Sequence, residues 1–299
     1  MPEKTLTDKL KIPLERTSVR IIPNVIFYQK FDWKRVQLRI NILVPKTPHP
    51  VPCLVYVPGG GFLTCSRTNH LQLQLHLAET GFVVASVQYR VVGEGTLFEA
   101  LCDIKSAIRF LRAQASNFNI AVENFAIMGE SAGGYLATMV GASNGCLRFE
   151  VGENLQQSSD VSAAINLFGY CDLKKLSEDS SQQLKKIYAS PSSSHALFVS
   201  GIPPFYGEHI TEDSHDEFFD LANPANYISA RTSAFLFLHG EDDEIVPPEQ
   251  TRLFHETLLE RGIKSVRYVI QGAGHAGETW CQPQIERLLV EFLNEHLVL

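Results

Sequence analysis

The 299-residue chain contains no apolar run near the ~18 residues that a membrane helix needs, and its six cysteines form no C-x-x-C pair. The first absence excludes a helical membrane span. The second, with no Cys/His cluster at zinc-ligand spacing, leaves no candidate metal site. A basic block is also missing: 26 Lys and Arg stand against 33 Asp and Glu, a net charge of −7. Such a surface has no electrostatic footprint for nucleic acid. The first 20 residues are charged and lack the apolar core of a secretory signal. The expectation is therefore a cytoplasmic protein with neither nucleic-acid nor membrane partners.

Hydrophobic residues make up 44% of the chain, enough for one large domain covering 1–299. The cysteines at 53, 65, 102, 146, 171 and 281 read as buried free thiols. Residues 25–28 and 36–43 alternate with period two, Val36, Leu38, Ile40 and Ile42 sharing a face, and read as a strand pair. Apolar runs at 54–57, 163–168 and 234–238 and the mixed stretch 82–89 read as further strands, with 265–270 the last strand. Between them, Leu97, Leu101, Ile104, Ile108 and Leu111 form a helical stripe, and 248–260 and 284–297 are amphipathic helices. On that stripe Asp103 is placed to pair with Arg90. β then α, repeated, implies a mostly parallel sheet covered on both faces. Residues 1–20 are polar and without period. The segment 172–228 is serine-rich, interrupted by prolines and aperiodic, which suits a small insertion capping the site. Its histidines, His195, His209 and His215, read as solvent-facing.

The stretch 124–136 carries the chemistry. An apolar strand runs into Gly129, Glu130, Ser131, Ala132 and Gly133, and then into a helix. A serine on so tight a strand-to-helix turn needs residues without Cβ two positions either side. The helix N-terminus beneath it offers free N–H groups and partial positive charge. A second G-x-S-x-G, at 141–145, follows a helix and leads into no obvious helix, so Ser143 is read as a loop serine.

On these residues the chain resembles the α/β-hydrolase superfamily, from about Val36 onward. Within it the resemblance is to the carboxylesterase branch of hormone-sensitive-lipase-like enzymes and small acetyl-xylan, tannase and feruloyl esterases. The resemblance implies an α/β-hydrolase fold, with a triad in the order Ser, Asp, His. In Pro58, Gly59, Gly60, Gly61 and Phe62, the branch usually has His where Pro58 stands. Its second and third glycines, here Gly60 and Gly61, give N–H groups to the oxyanion hole together with Ala132. No phosphate-loop Lys-Ser/Thr follows the glycines, and no cofactor or metal is implied. The same resemblance places a helix over 71–80, with Thr68 or Asn69 as N-cap and Gly81 as stop, although Leu71, Leu73, Leu75 and Leu77 alternate as a strand would.

Four acids compete after the strand at 234–238. The family spacing H-G-x-x-D-x-x-V-P, which fits His239 to Pro247, selects Asp243. After the last strand, His275 is the histidine in a glycine-flanked loop. His239 reads as a packed, hydrogen-bonded residue; His255 lies on a helix and His296 near the end.

A serine hydroxyl is a weak nucleophile until an imidazole removes its proton and a carboxylate orients that imidazole. The expectation is a serine carboxylesterase acting through an acyl-enzyme on small-molecule esters: short-chain acyl, acetyl-sugar or phenolic (hydroxycinnamoyl). Phe62, Tyr135 and Trp280 are candidate pocket walls, as likewise are Phe205 and Tyr206 in the insertion. A homodimer is compatible with the sequence. An amidase or peptidase on the same fold is the near alternative, and a non-catalytic binding protein the distant one.

Overall fold

A computed structural model describes residues 10–31, 35–176, 180–202 and 212–297, with only the backbone of Phe31 and of 212–216. Strand β1 (Val19–Phe31) pairs antiparallel with β2 (Arg35–Pro45) from Val19↔Pro45 to Phe31↔Arg35. On β2, Leu38, Ile40 and Ile42 are buried while Gln37, Arg39 and Asn41 are half-buried, the expected alternation. β1 begins within the stretch whose lack of period hid it. Asn24, at φ 60°, absorbs a register shift between Ile22 and Val25.

β3 (Val51–Val57) leads to helix α1 (Leu71–Glu79) and β4 (Val83–Val87). α2 (Leu97–Ala113) and the short α3 (Ala115–Phe118) precede β5 (Ile120–Glu130), and α4 (Ala132–Ala142) follows it. β6 (Ala163–Leu167) is succeeded by α5 (Gln182–Tyr188), α6 (Ser194–Ser200) and α7 (Glu212–Leu221). β7 (Ala234–Gly240), α8 (Glu249–Glu260), β8 (Ser265–Ile270) and α9 (Pro283–His296) complete the chain.

The sheet order is β1-β2-β4-β3-β5-β6-β7-β8. Only the pairs β1–β2 and β2–β4 are antiparallel; β4 through β8 run parallel. Leu73 and Leu77 of α1 and Leu289 and Leu293 of α9 share one apolar cluster; α2, α4 and α8 contribute to the other. Neighbouring β3 and β5 therefore send their helices to opposite faces. In open α/β sheets such a switch point opens a crevice beyond the strands' C-terminal ends.

α1 is a helix despite its alternating leucines, because it buries Leu73, Gln74, Leu77 and Ala78 and leaves Leu71 outside. Its N-cap is neither Thr68 nor Asn69 but His70, held left-handed at φ 48° with no side-chain cap. The Gln74 amide instead donates to the Asn69 carbonyl at 2.6 Å, satisfying that turn from inside. α2 opens with a capping box of Thr96 and Glu99, a device that contributes about 1 kcal/mol. Its stripe is buried as expected, and Arg90 grips Asp103 with bonds of 2.8 and 2.6 Å.

All six cysteines are free; Cys53, Cys102 and Cys171 are buried, and Cys65, Cys146 and Cys281 are half-buried rather than fully enclosed. No helix among the described residues is long and apolar enough to cross a membrane.

Candidate active site

Ser131 stands between β5 and α4 at φ 51° and ψ −121°, a strained conformation for a residue with a Cβ. The strain is enforced by proximity. A Cβ on Gly129 would lie 2.1 Å from the Gly133 carbonyl oxygen, and one on Gly133 2.1 Å from that of Val57. The Ser131 N–H donates to the Leu167 carbonyl at 2.9 Å, pinning the turn to the end of β6.

Two loops converge on this serine. His275 Nε2 lies 2.9 Å from Ser131 Oγ, and His275 Nδ1 lies 2.8 Å from Asp243 Oδ2. Asp243 Oδ1 accepts the N–H groups of Ile245 at 2.9 Å and Val246 at 2.8 Å. The rival acids Glu241, Asp242 and Glu244 are exposed, whereas Asp243 is buried. Burial alone pushes its carboxyl up, but hydrogen bonds from His239 and His275, the His275 charge and the Val246 N–H together hold it well below the usual carboxylate range. It therefore stays ionised beside the imidazole. The acid and base loops are tied together where the Asp242 N–H donates to the Ala273 carbonyl at 2.9 Å.

The glycine loop after β3 completes the cluster. The Gly60 carbonyl accepts from the N–H groups of Leu63 at 3.0 Å and Thr64 at 3.2 Å. Among the described residues no acceptor takes the N–H of Gly60, Gly61 or Ala132. Such donors are available to an oxyanion without first giving up another partner. Tyr89 donates its hydroxyl to the Pro58 carbonyl at 2.7 Å, steadying the loop at the position where the branch usually has histidine. Pro58→His should accordingly change kcat on a small activated ester by less than about tenfold, below the loss typical of a missing hole donor. A folded variant gaining a hundredfold or more would mean that the native loop is impaired.

Three contributors, Phe168, Glu130 and His70, are not singled out by the sequence. The Phe168 ring packs edge-on to His275 at 5.0 Å and against Trp280 at 4.4 Å. Glu130, next to the elbow serine, holds the glycine loop and His70. Its Oε1 accepts the Gly59 N–H at 3.3 Å and its Oε2 lies 2.8 Å from Nε2 of His70. Burial raises the Glu130 carboxyl, but His70 and the Gly59 N–H outweigh it and hold it below the ordinary value. A charge following directly on a buried strand was the available signal, since buried charges require partners.

Other expectations need correction. Phe62, Tyr135 and Trp280 are almost wholly buried and are core rather than pocket wall. Phe62 stacks on Phe198 of α6 at 4.5 Å, and Tyr135 donates to the Ala222 carbonyl at 2.6 Å. His195 is not solvent-facing: it is buried, with Tyr188 at 5.3 Å and Phe219 at 6.1 Å packed against its ring. The side chains of His209 and His215, and Phe205 and Tyr206, lie outside the described residues. His255 bonds Ser265 at 2.7 Å and His296 packs on Phe292, so neither approaches Ser131. Ser143, by contrast, is the expected loop serine: it caps the end of α4 and opens the turn at 143–145, with its side chain buried.

Residues 40–258 match the family model BD-FAE. The chain belongs to the BD-FAE family. The matched stretch contains Gly60, Gly61, Ser131, Ala132 and Asp243 and ends ahead of His275. The esterase LipC of Mycobacterium tuberculosis is 31% identical over 230 residues, covering 76% of this chain and 53% of that protein. The chain spans about half the length of the curated relatives it matches. Among solved structures, a truncated carbohydrate esterase from gut microbiota superposes with a TM-score of 0.78 at 21% identity, covering 96% of this chain and 99% of that one. An acetyl ester-xyloside bifunctional hydrolase from Caldicellulosiruptor lactoaceticus gives 0.73 at 19% identity, covering 92% and 96%. The fold is that of the α/β-hydrolases.

Proposed function

We propose that the protein is a serine carboxylesterase in which Ser131, His275 and Asp243 form the catalytic triad. The carrying observation is the pair of links, 2.9 Å from serine to imidazole and 2.8 Å from imidazole to a buried, ionised carboxylate. Ser131 Oγ attacks the ester carbonyl carbon while His275 Nε2 takes its proton. The negative charge on the carbonyl oxygen is received by the N–H groups of Gly60, Gly61 and Ala132. Collapse of the tetrahedral intermediate breaks the C–O bond to the alcohol, which leaves with the proton held by His275. Water, deprotonated by the same imidazole, attacks the acyl-enzyme, and a second collapse releases the acid and restores Ser131.

The proposed substrates are short acyl esters, acetyl groups on sugars and hydroxycinnamoyl esters. The esterases and the acetyl ester-xyloside hydrolase among its similar proteins support the ester chemistry and the acetyl part of that range. Residues 172–228 are proposed as a cap that selects among them. Its described parts touch the glycine loop and the acid loop: Phe198 on Phe62, and the Tyr188 hydroxyl on the Ile245 carbonyl at 2.7 Å.

The test pairs 4-nitrophenyl acetate with 4-nitroacetanilide, and runs an acyl-length series beside acetylated xylan and methyl ferulate. Turnover of the acetate with little of the anilide is expected, falling as the acyl chain lengthens. Preference for the anilide would replace the esterase by an amidase, and turnover of neither would refute catalysis.

A further inference from the structure

His239 is the penultimate residue of β7, four residues before Asp243, and its ring is completely buried against that carboxylate. Its Nε2 faces two groups that can only accept: the Val246 carbonyl oxygen at 2.9 Å and Asp243 Oδ2 at 3.2 Å. A proton on Nε2 is therefore required. Nδ1 lies 3.0 Å from the hydroxyl of Thr251 on α8. That hydroxyl accepts the Nε–H of Arg267, on β8, at 3.1 Å. Arg267 also donates from Nη2 to the Pro248 carbonyl at 2.9 Å, the competing acceptor for the Thr251 proton at 3.2 Å. With the ring proton on Nε2, Nδ1 can only accept, and at 3.0 Å it is the nearer acceptor for the threonine proton.

We propose that His239 is a positioning residue for the acid of the triad, fixed as its Nε2–H tautomer by a chain running Arg267 to Thr251 to His239 to Asp243. The inference rests on the reading of Asp243 as that acid. The carboxylate then meets the Ile245 and Val246 N–H groups on Oδ1 and the His275 ring on Oδ2, where the His239 Nε2–H, shared with the Val246 carbonyl, lies 3.2 Å away. Donors on both oxygens prevent rotation of the carboxylate plane, and so fix the direction along which His275 is held. His239 touches no reacting atom; it acts through Asp243. Misplacement of a catalytic group by a fraction of an ångström is enough to slow turnover without altering substrate affinity.

Thr251 is fully buried and nearly the size of valine, so Thr251→Val removes the hydroxyl while keeping the volume, and Thr251→Ser keeps the hydroxyl. On 4-nitrophenyl acetate, Thr251→Val should lower kcat about tenfold with KM within about twofold, whereas Thr251→Ser should stay within about twofold in both. Melting temperature is recorded for each. In wild-type protein labelled with 15N-histidine, the His239 resonances should show Nε2 protonated and Nδ1 bare. A valine variant as active as the serine variant would overturn the proposal, and so would a His239 spectrum with the proton on Nδ1. If Thr251→Val fails to fold, the wild-type spectrum decides alone. Asp243→Asn is the control for the underlying reading: unchanged kcat in that variant would refute Asp243 as the acid, whatever the tautomer of His239.

Discussion

Ser131→Ala should reduce kcat/KM on 4-nitrophenyl acetate by a factor on the order of 10⁵ or more, the scale on which losing a triad nucleophile is felt. It should also abolish covalent labelling by a fluorophosphonate and leave the melting temperature nearly unchanged. The single atom removed is the one 2.9 Å from His275 Nε2; the turn itself is held by backbone, through the Ser131 N–H and the Leu167 carbonyl. Ser143→Ala supplies the contrast, with kcat/KM within about twofold of wild type, the range of an ordinary substitution remote from the site. Its hydroxyl donates only to the Val140 carbonyl at 3.4 Å, and the bond from Lys105 goes to its main-chain oxygen, which alanine retains. The second G-x-S-x-G has a packing explanation. A Cβ on Gly141 would meet that of Ala164 at 2.6 Å, so this glycine lets α4 lie close on β6. Loss of labelling in Ser143→Ala, with Ser131→Ala still reactive, would invert the assignment.

The parts of the fold legible in the sequence were those governed by local pattern. The apolar run at 234–238 fell on β7 because a parallel strand buried by helices loses its polar face, whereas 265–270 fell on β8, an edge strand that keeps Val266, Tyr268 and Val269 exposed. The elbow was legible because the clash that excludes a Cβ at Gly129 and Gly133 is written into two residue identities. Asp243 was separable from its neighbours only through family spacing; the physical discriminator, burial beside two histidines, depends on the fold. Phe168, Glu130, His70 and the contact of His239 with the carboxylate were hidden for the same reason. Each is a long-range partnership: His70 and Glu130 are brought together by β3 pairing with β5, not by any periodicity. His195 was misjudged from composition. A polar, serine-rich segment suggests an exposed ring, yet Tyr188 and Phe219, on separate helices, close over it.

Gly60→Ala should lower kcat by about 10² to 10³-fold on the same small ester, with KM little changed, the magnitude expected when an oxyanion donor is displaced. Gly60 sits at φ +143°, and an added Cβ would lie 2.2 Å from the Thr64 carbonyl oxygen and 2.5 Å from its hydroxyl. Main chain cannot yield there cheaply, because the Gly60 carbonyl also holds the N–H groups of Leu63 and Thr64. The loop must therefore shift as a unit, carrying the Gly60 and Gly61 N–H groups off the position where the oxyanion forms. Gly61→Ala separates this displacement from general backbone strain. Gly61 is also left-handed, at φ +61°, but a Cβ there meets nothing within 4 Å. Alanine costs roughly 1–2 kcal/mol of stability in that conformation and leaves both N–H groups where they are, so kcat should fall by less than about tenfold. The measurements are kcat and KM for both variants, with thermal melts to show that each is folded. Inhibition by a phenylboronic acid is added, since its tetrahedral adduct occupies the same donors and should weaken in parallel with kcat for Gly60→Ala. Equal losses in the two variants would mean that strain alone is being read. A folded Gly60→Ala enzyme within tenfold of wild type would remove the glycine loop from the catalytic machinery.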